Sequence, residues 1–227
     1  MIERARYLPR QGYTSMPWRN GTGVTREIMR EPAQGETFAW RLSLATIGAS
    51  GSFSSYPGYE RAIALVDGRG FRLNINDTRT QVLSARGEHA LFPGGAATGC
   101  ELLDGPCTDL SLMVRSPGRI NAVARLRIGG ELTVPAASGT LHALFVLYGA
   151  IECRALEPSL PEFAPAAQPQ TLDFNDTLLI HGCADLWSLR QASSDTAELL
   201  VIEFTPGSNA PGRTGPSAAR AGASADR

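Results

Sequence analysis

Arginine on β-strand segments is the feature of this chain best suited to chemistry. Arg26 sits between Val24 and Ile28 in an alternating stretch, and Arg61 shares a face with Ile63 and Leu65. In WRLSLATI, Trp40, Leu42 and Leu44 point one way while Arg41 and Ser43 point the other, toward solvent or a polar cavity. Asp109, Ser111, Met113 and Arg115 share one face of a later strand, opposite Leu110, Leu112 and Val114. A planar guanidinium reads a carboxylate through two parallel hydrogen bonds, so arginines converging inside a barrel would make a carboxylate pocket. Four unrelated arginines snorkelling over the exterior would produce the same spacing. The case is sharpest at Arg61, between the turns Pro57-Gly58 and Asp67-Gly68. A guanidinium buried on that apolar strand is very costly unless a side chain or a ligand anion meets it.

Other chemistries find little support. The three histidines, His89, His142 and His181, are far apart and lack the His-x-His, Glu and later His of a metal-binding cupin, so no metal is expected. No G-x-S-x-G elbow exposes a nucleophile. All 21 basic residues are arginine, which excludes a phosphate loop and a Schiff base that need the lysine amine. No catalytic residue is assigned and no cofactor is expected. A metal-independent enzyme, such as an isomerase using His142 or Tyr148 as acid or base, is the second reading. A third is an assembly module acting through an exposed sheet.

The elements that must position these arginines are strands. Short alternating segments with Gly, Pro, Asn and Asp at the corners follow one another without a long amphipathic helix, which suggests a sandwich or barrel. ALVDGRGFRLNI from Ala64 resembles FVLYGAIECRAL from Phe145 at an offset of 81, pairing Arg61 with His142; Phe92-Pro93-Gly94 and Met113-Val114-Arg115 find counterparts at 88. The expected organisation is an N-terminal barrel with its arm over residues 1–120, a C-terminal barrel over 121–205 and a disordered Gly/Pro/Ala/Ser tail over 206–227. The longer loop of the second copy falls at Glu157 to Gln170.

A net charge of -1 gives no footprint for nucleic acid or an acidic membrane, and a small molecule fits better. The longest apolar run, Ala143 to Ile151, is far below the ~20 residues that cross a bilayer. The charged start lacks a secretory h-region, so a cytoplasmic location is expected. Cys100, Cys107, Cys153 and Cys183 lack CxxC spacing and read as core thiols.

PWRNGTGVTREI, FAWRLSLATIGASGSFSSYPGYERAIALVDG and ELLDGPCTDLSLMVR, spanning most of Trp18 to Arg115, resemble the HutD/Ves family. The resemblance implies an all-β, two-barrel RmlC-like cupin fold without a bound metal, associated with histidine utilisation. It implies binding of a small carboxylate intermediate, such as N-formylglutamate or urocanate, to moderate flux or induction, with a homodimer compatible with it. Arg61 falls at the family's pocket arginine, in its F-P-G-x-x-R context. Trp18, Asn20, Arg26 and Arg41 match further motif positions, and Arg115 closes the last matching segment. Two positions depart: Thr22 stands in the N-G-G-G run, and Leu110-Ser111 stands where D-F-N is usual, so Ser111 keeps a hydrogen-bonding group with a shorter reach.

Overall fold

Alternation of aliphatic and polar residues, cut by turn residues every few positions, leaves this chain no route to a core except stacked sheets. In the computed structural model, which describes residues 5–18, 21–156, 169–182, 185–192 and 196–207, the regular structure is strand apart from one 3-10 turn at Arg10–Gly12. Asn20, Cys183, most of the loop from Glu157 and the tail beyond Gly207 lie outside the described residues.

The first half carries β1 (Ala5–Leu8), β2 (Thr14–Pro17), β3 (Gly23–Glu31), β4 (Trp40–Ile47), β5 (Gly51–Ser52) and β6 (Tyr59–Asp67). It continues with β7 (Phe71–Ile75), β8 (Arg79–Leu83), β9 (His89–Pro93), β10 (Thr98–Leu102) and β11 (Cys107–Arg115). The second half carries β12 (Arg119–Ile128), β13 (Glu131–Ala136), β14 (Leu141–Tyr148), β15 (Ile151–Ala155), β16 (Gln170–Leu172), β17 (Thr177–His181), β18 (Asp185–Gln191) and β19 (Ala197–Thr205).

Among the described residues, four sheets enclose three cores. The sheet β2-β3-β4-β11-β6-β9 and the sheet β5-β10-β7-β8 bury Ile63, Leu65, Phe71, Leu73 and Phe92 between them. The sheets β1-β17-β14-β19-β12 and β13-β18-β15-β16 bury Leu144, Val146, Ile151 and Leu199. The two larger sheets then pack back to back through Leu42, Leu44, Leu110 and Leu112 on one side and Phe145, Leu200 and Phe204 on the other. Trp40 meets Phe204 edge-on there, with ring centroids 5.3 Å apart. Residues alternate between faces along each strand, so one strand feeds the inter-sheet seam with every second position and an interior with the positions between.

The order β4-β11-β6-β9 recurs as β12-β19-β14-β17, and β5-β10-β7-β8 recurs as β13-β18-β15-β16. The recurrence reaches individual pairs. Arg61 lies opposite Phe92 as His142 lies opposite Ile180, and each last strand has a register shift where Asp109 meets Leu65 or Leu199 meets Val146. Asp109 and Ser111 thus correspond to Leu199 and Val201, an offset of 90 rather than the 88 expected from the sequence. A slip of two residues keeps every side chain on its face, which is why the pattern of apolar residues could not detect it.

The amino-terminal segment does not stay with the sheet it precedes. β1 pairs with β17 of the second half, while β2 pairs with β3 of the first. Asp176 anchors the crossing: its carboxylate accepts hydrogen bonds from Tyr7 Oη at 2.7 Å, the Arg10 amide at 2.8 Å and the Asp173 amide at 3.0 Å. Tyr13 Oη donates to the Asn175 carbonyl at 2.7 Å.

Candidate functional site

Placement of Arg61 starts with a turn. Pro57 presets one backbone angle, Gly58 takes φ +81°, and the Tyr59 amide returns to the Tyr56 carbonyl at 3.2 Å, as a type II turn with Pro-Gly at its centre requires. β6 then runs antiparallel to β11, which runs antiparallel to β4, and the register fixes three interior rows. Arg41, Met113 and Arg61 form the first row; Ser43, Ser111 and Ile63 the second; Ala45, Asp109 and Leu65 the third. The intervening residues Leu42, Leu112 and Ala62 belong to the seam between the large sheets.

Arg61 is 8% exposed, and its Nε donates to Ser111 Oγ at 3.1 Å. Its guanidinium carbon lies 4.5 Å from the ring centre of Phe53 and 5.7 Å from that of Phe92, so π-faces supply part of the lost hydration. Burial pulls the Arg61 pKa below its ordinary value, Asp109 opposes that pull, and the like charge of Arg41 adds to it. The Arg41 guanidinium carbon lies 5.0 Å from the Phe38 ring and 5.5 Å from the Tyr56 ring, while its Nε is buried without an acceptor. Asp109 is 0% exposed, and neither of its oxygens accepts a hydrogen bond. Burial pushes its pKa up to about 7, against the pull of Arg61. Cys100, buried in the same interior core, is pushed up to about 12, chiefly by burial and then by the charge of Asp109.

Two guanidiniums and one partly ionised carboxyl leave this interior with a positive excess in surroundings of low polarity. Such a site favours a small anion. The corresponding positions of the second half carry Leu199 and Val201 where the first has Asp109 and Ser111, so polar lining is concentrated in the first. His142, at the position of Arg61, is buried and shares a 2.9 Å hydrogen bond with Thr140 Oγ1; burial lowers its pKa. Tyr148, the other acid-base candidate, is 49% exposed at the far end of β14.

The remaining sequence candidates divide. Trp18 packs against the interior core of the first half and donates from Nε1 to Thr25 Oγ1 at 2.8 Å. Arg26 pairs with Leu44, which places it on the seam face of the sheet, away from Arg61. Arg115 stands at the exposed end of β11. Asn20 lies outside the described residues. Sequence reasoning passed over Asp109, Phe53, Phe92, Phe38 and Tyr56 as site residues. Asp109 carried a signal akin to the one that singled out Arg61, a charge on the same face as Ser111 and Met113 of a strand whose other face is aliphatic.

Two surface depressions lie outside this interior, the first sharing Phe92 with it. One, of about 700 Å³, is lined mainly by Pro57, Gly58, Tyr59, Phe92 and Pro93, and its acid Glu60 already accepts the Ile120 amide. The other, of about 480 Å³, holds Arg86, Arg127 and Glu198. Its arginines face acids: Arg86 lies 3.8 Å from Asp67 and Arg127 lies 3.5 Å from Glu198. Unsatisfied buried polar atoms outweigh surface volume as a sign of a ligand; among the described residues they occur at Arg41 and Asp109 in the first half and at Asn175, Trp187 and Gln191 in the second, and only the first group includes charged side chains. Among the described residues no group of three His, Cys, Asp or Glu side chains could hold a metal ion.

A family model described as HutD matches residues 10–201. The chain belongs to the HutD family. An uncharacterised 21.2 kDa protein from the hutC 3′ region of Pseudomonas putida is 38% identical over 122 residues, 53% of this chain. That match spans 63% of the relative's own length, less than two thirds. A conserved protein of unknown function from Pseudomonas aeruginosa PAO1 superposes with a TM-score of 0.77 at 30% identity, covering 89% of this chain and 99% of its own. HutD from Pseudomonas fluorescens SBW25, solved in a formate condition, superposes with a TM-score of 0.70 at 26% identity, covering 90% and 100%. A cupin 2 conserved barrel domain protein from Leptotrichia buccalis, 12% identical, shares the fold with a TM-score of 0.54, covering 88% and 97%. This HutD-family chain therefore has the all-β, cupin-type fold that its sequence suggests.

Proposed function

We propose that this HutD-family protein is a non-catalytic receptor for a small carboxylate, held in the interior of the first half by Arg61, and that it acts in histidine utilisation. The observation that carries the reading is a buried guanidinium whose acidic counterpart in the same interior, Asp109, makes no hydrogen bond to it and has its pKa raised rather than lowered. A carboxylate arriving at Arg61 supplies the charge that Asp109 supplies only in part. Arg41, stacked between Phe38 and Tyr56 with an unpartnered Nε, would support it from β4, across Met113 of the intervening β11. The pathway is supported by the P. putida relative, named for its hutC neighbourhood, and by the superposed HutD. Histidine-pathway acids such as N-formylglutamate and urocanate are thus the first ligands to test, and binding one of them would moderate flux or induction.

Calorimetric titration of the wild type and of Arg61→Ala and Arg61→Lys with these acids tests the reading. Truncating one partner of a desolvated charge pair costs about 2–5 kcal/mol, so Arg61→Ala is expected to weaken binding roughly 30-fold to several thousand-fold. Arg61→Lys restores part of it, because an ammonium cannot reproduce the planar fork. Equal affinity in the wild type and Arg61→Ala, with the circular dichroism unchanged, would refute it. Turnover of a bound acid would refute the non-catalytic part alone.

A further inference from the structure

Asp109 is unexplained by a simple carboxylate site. Burying an acid with two orphaned oxygens beside a ligand that is itself anionic weakens both folding and binding unless the ligand has something to give it. The fold does not demand an acid there, since the corresponding residue of the second half is Leu199, fully packed in its core. Geometry sets how far the two ends of a ligand lie apart. The Arg61 side chain reaches one row inward, to Ser111, and Asp109 stands one row further along β11, about 7 Å by strand spacing.

We propose that Asp109 is the second recognition point of this site, accepting a hydrogen bond from an N–H or O–H group at the far end of the ligand whose carboxylate rests on Arg61. The ligand class is then a short carboxylic acid with a hydrogen-bond donor three to four atoms from its carboxyl carbon, and a plain alkanoate is rejected. The inference rests on the carboxylate reading given above and deepens it. A carboxyl poised near neutrality suits the task, because a donor arriving from the ligand draws it into the ionised, accepting form at little cost. Rejection of the alkanoate has a separate cause: a methyl group at that depth would leave Asp109 buried and unpaired.

Three acids of one length separate the ideas: pentanoate, 4-hydroxybutanoate and 4-aminobutanoate, ending in methyl, hydroxyl and ammonium. Titrated calorimetrically at pH 8, the last two are expected to bind the wild type roughly 10-fold or more tighter than pentanoate, the worth of one buried hydrogen bond to a charged group. Asp109→Leu, which copies the second half, is expected to abolish or reverse that order. Asp109→Asn, which keeps the shape, is expected to lose the preference for the ammonium. Pentanoate binding as well as the others in the wild type, or an order that survives in both variants, overturns the proposal while Arg61-dependent binding leaves the carboxylate reading standing. If no acid depends on Arg61, both fall.

Discussion

Replacing Asp109 with asparagine removes a titrating group from the interior and changes almost nothing in shape. The folded protein holds this carboxyl near pKa 7, against about 4 in an unfolded chain, because burial opposes its charge more strongly than Arg61 favours it. Between those values the folded state binds more protons than the unfolded state, so stability falls as pH rises. The penalty is absent below about pH 4, grows to about pH 7 and is constant above it. Holding the carboxyl at about 7 rather than about 4 corresponds to roughly 4 kcal/mol. Asparagine does not titrate, and the other groups cancel when wild type and variant are compared at each pH. Urea unfolding of both proteins from pH 4 to pH 8 should therefore show the wild type losing roughly 4 kcal/mol relative to Asp109→Asn across that range. A flat difference would mean that water or a donor satisfies the carboxylate. A difference of opposite sign would mean that Arg61 holds Asp109 as an ion pair, which would remove the positive excess on which anion binding depends.

Asp176→Ala deletes three hydrogen bonds, two of which tie the amino-terminal segment to the second half, and is expected to cost roughly 2–5 kcal/mol in urea unfolding; a loss below ~1 kcal/mol would show the crossing to be incidental. Gly70→Ala adds a Cβ that would collide with the Leu83 carbonyl oxygen at φ +106°, and should lower the melting temperature by several degrees or prevent folding, whereas an unchanged melt would show that this turn can open. In a Cys183→Ser background, Cys100 and Cys153, with pKa values pushed up to about 12, should resist a thiol reagent at pH 8 until the protein is unfolded; rapid labelling of either in the native state would contradict their burial.

Strands, turns and faces were legible in the sequence because alternation is a local signal. Leu110, Leu112 and Val114 lie on one face of β11 and Asp109, Ser111 and Met113 on the other, as their spacing implies. What alternation cannot tell is which face turns inward. Arg26 and Arg41 stand in similar patterns, yet the registers of β3 and β4 send Arg26 to the seam between the large sheets and Arg41 to the interior. Nor does it give partners across the chain. The stacking of Phe53 and Phe92 on Arg61 joins three segments of the sequence, and the pairing of β1 with β17 joins the amino-terminal segment to the second half. The family resemblance supplied what local pattern could not at Arg61. At Asp109 it supplied only a match to the aspartate of D-F-N, and the orphaned oxygens become visible only when the sheets close over it.

The central claim is that a carboxylate binds inside the first half against Arg61, and a crystal structure of the protein grown with N-formylglutamate, or with formate as the minimal probe, tests it most directly. The expected result is a carboxylate within hydrogen-bond distance of the Arg61 guanidinium, enclosed by Phe53, Phe92 and the Arg41 side chain. A carboxylate found instead at the Arg86 and Arg127 cleft, with the interior around Arg61 and Asp109 unchanged, would contradict it.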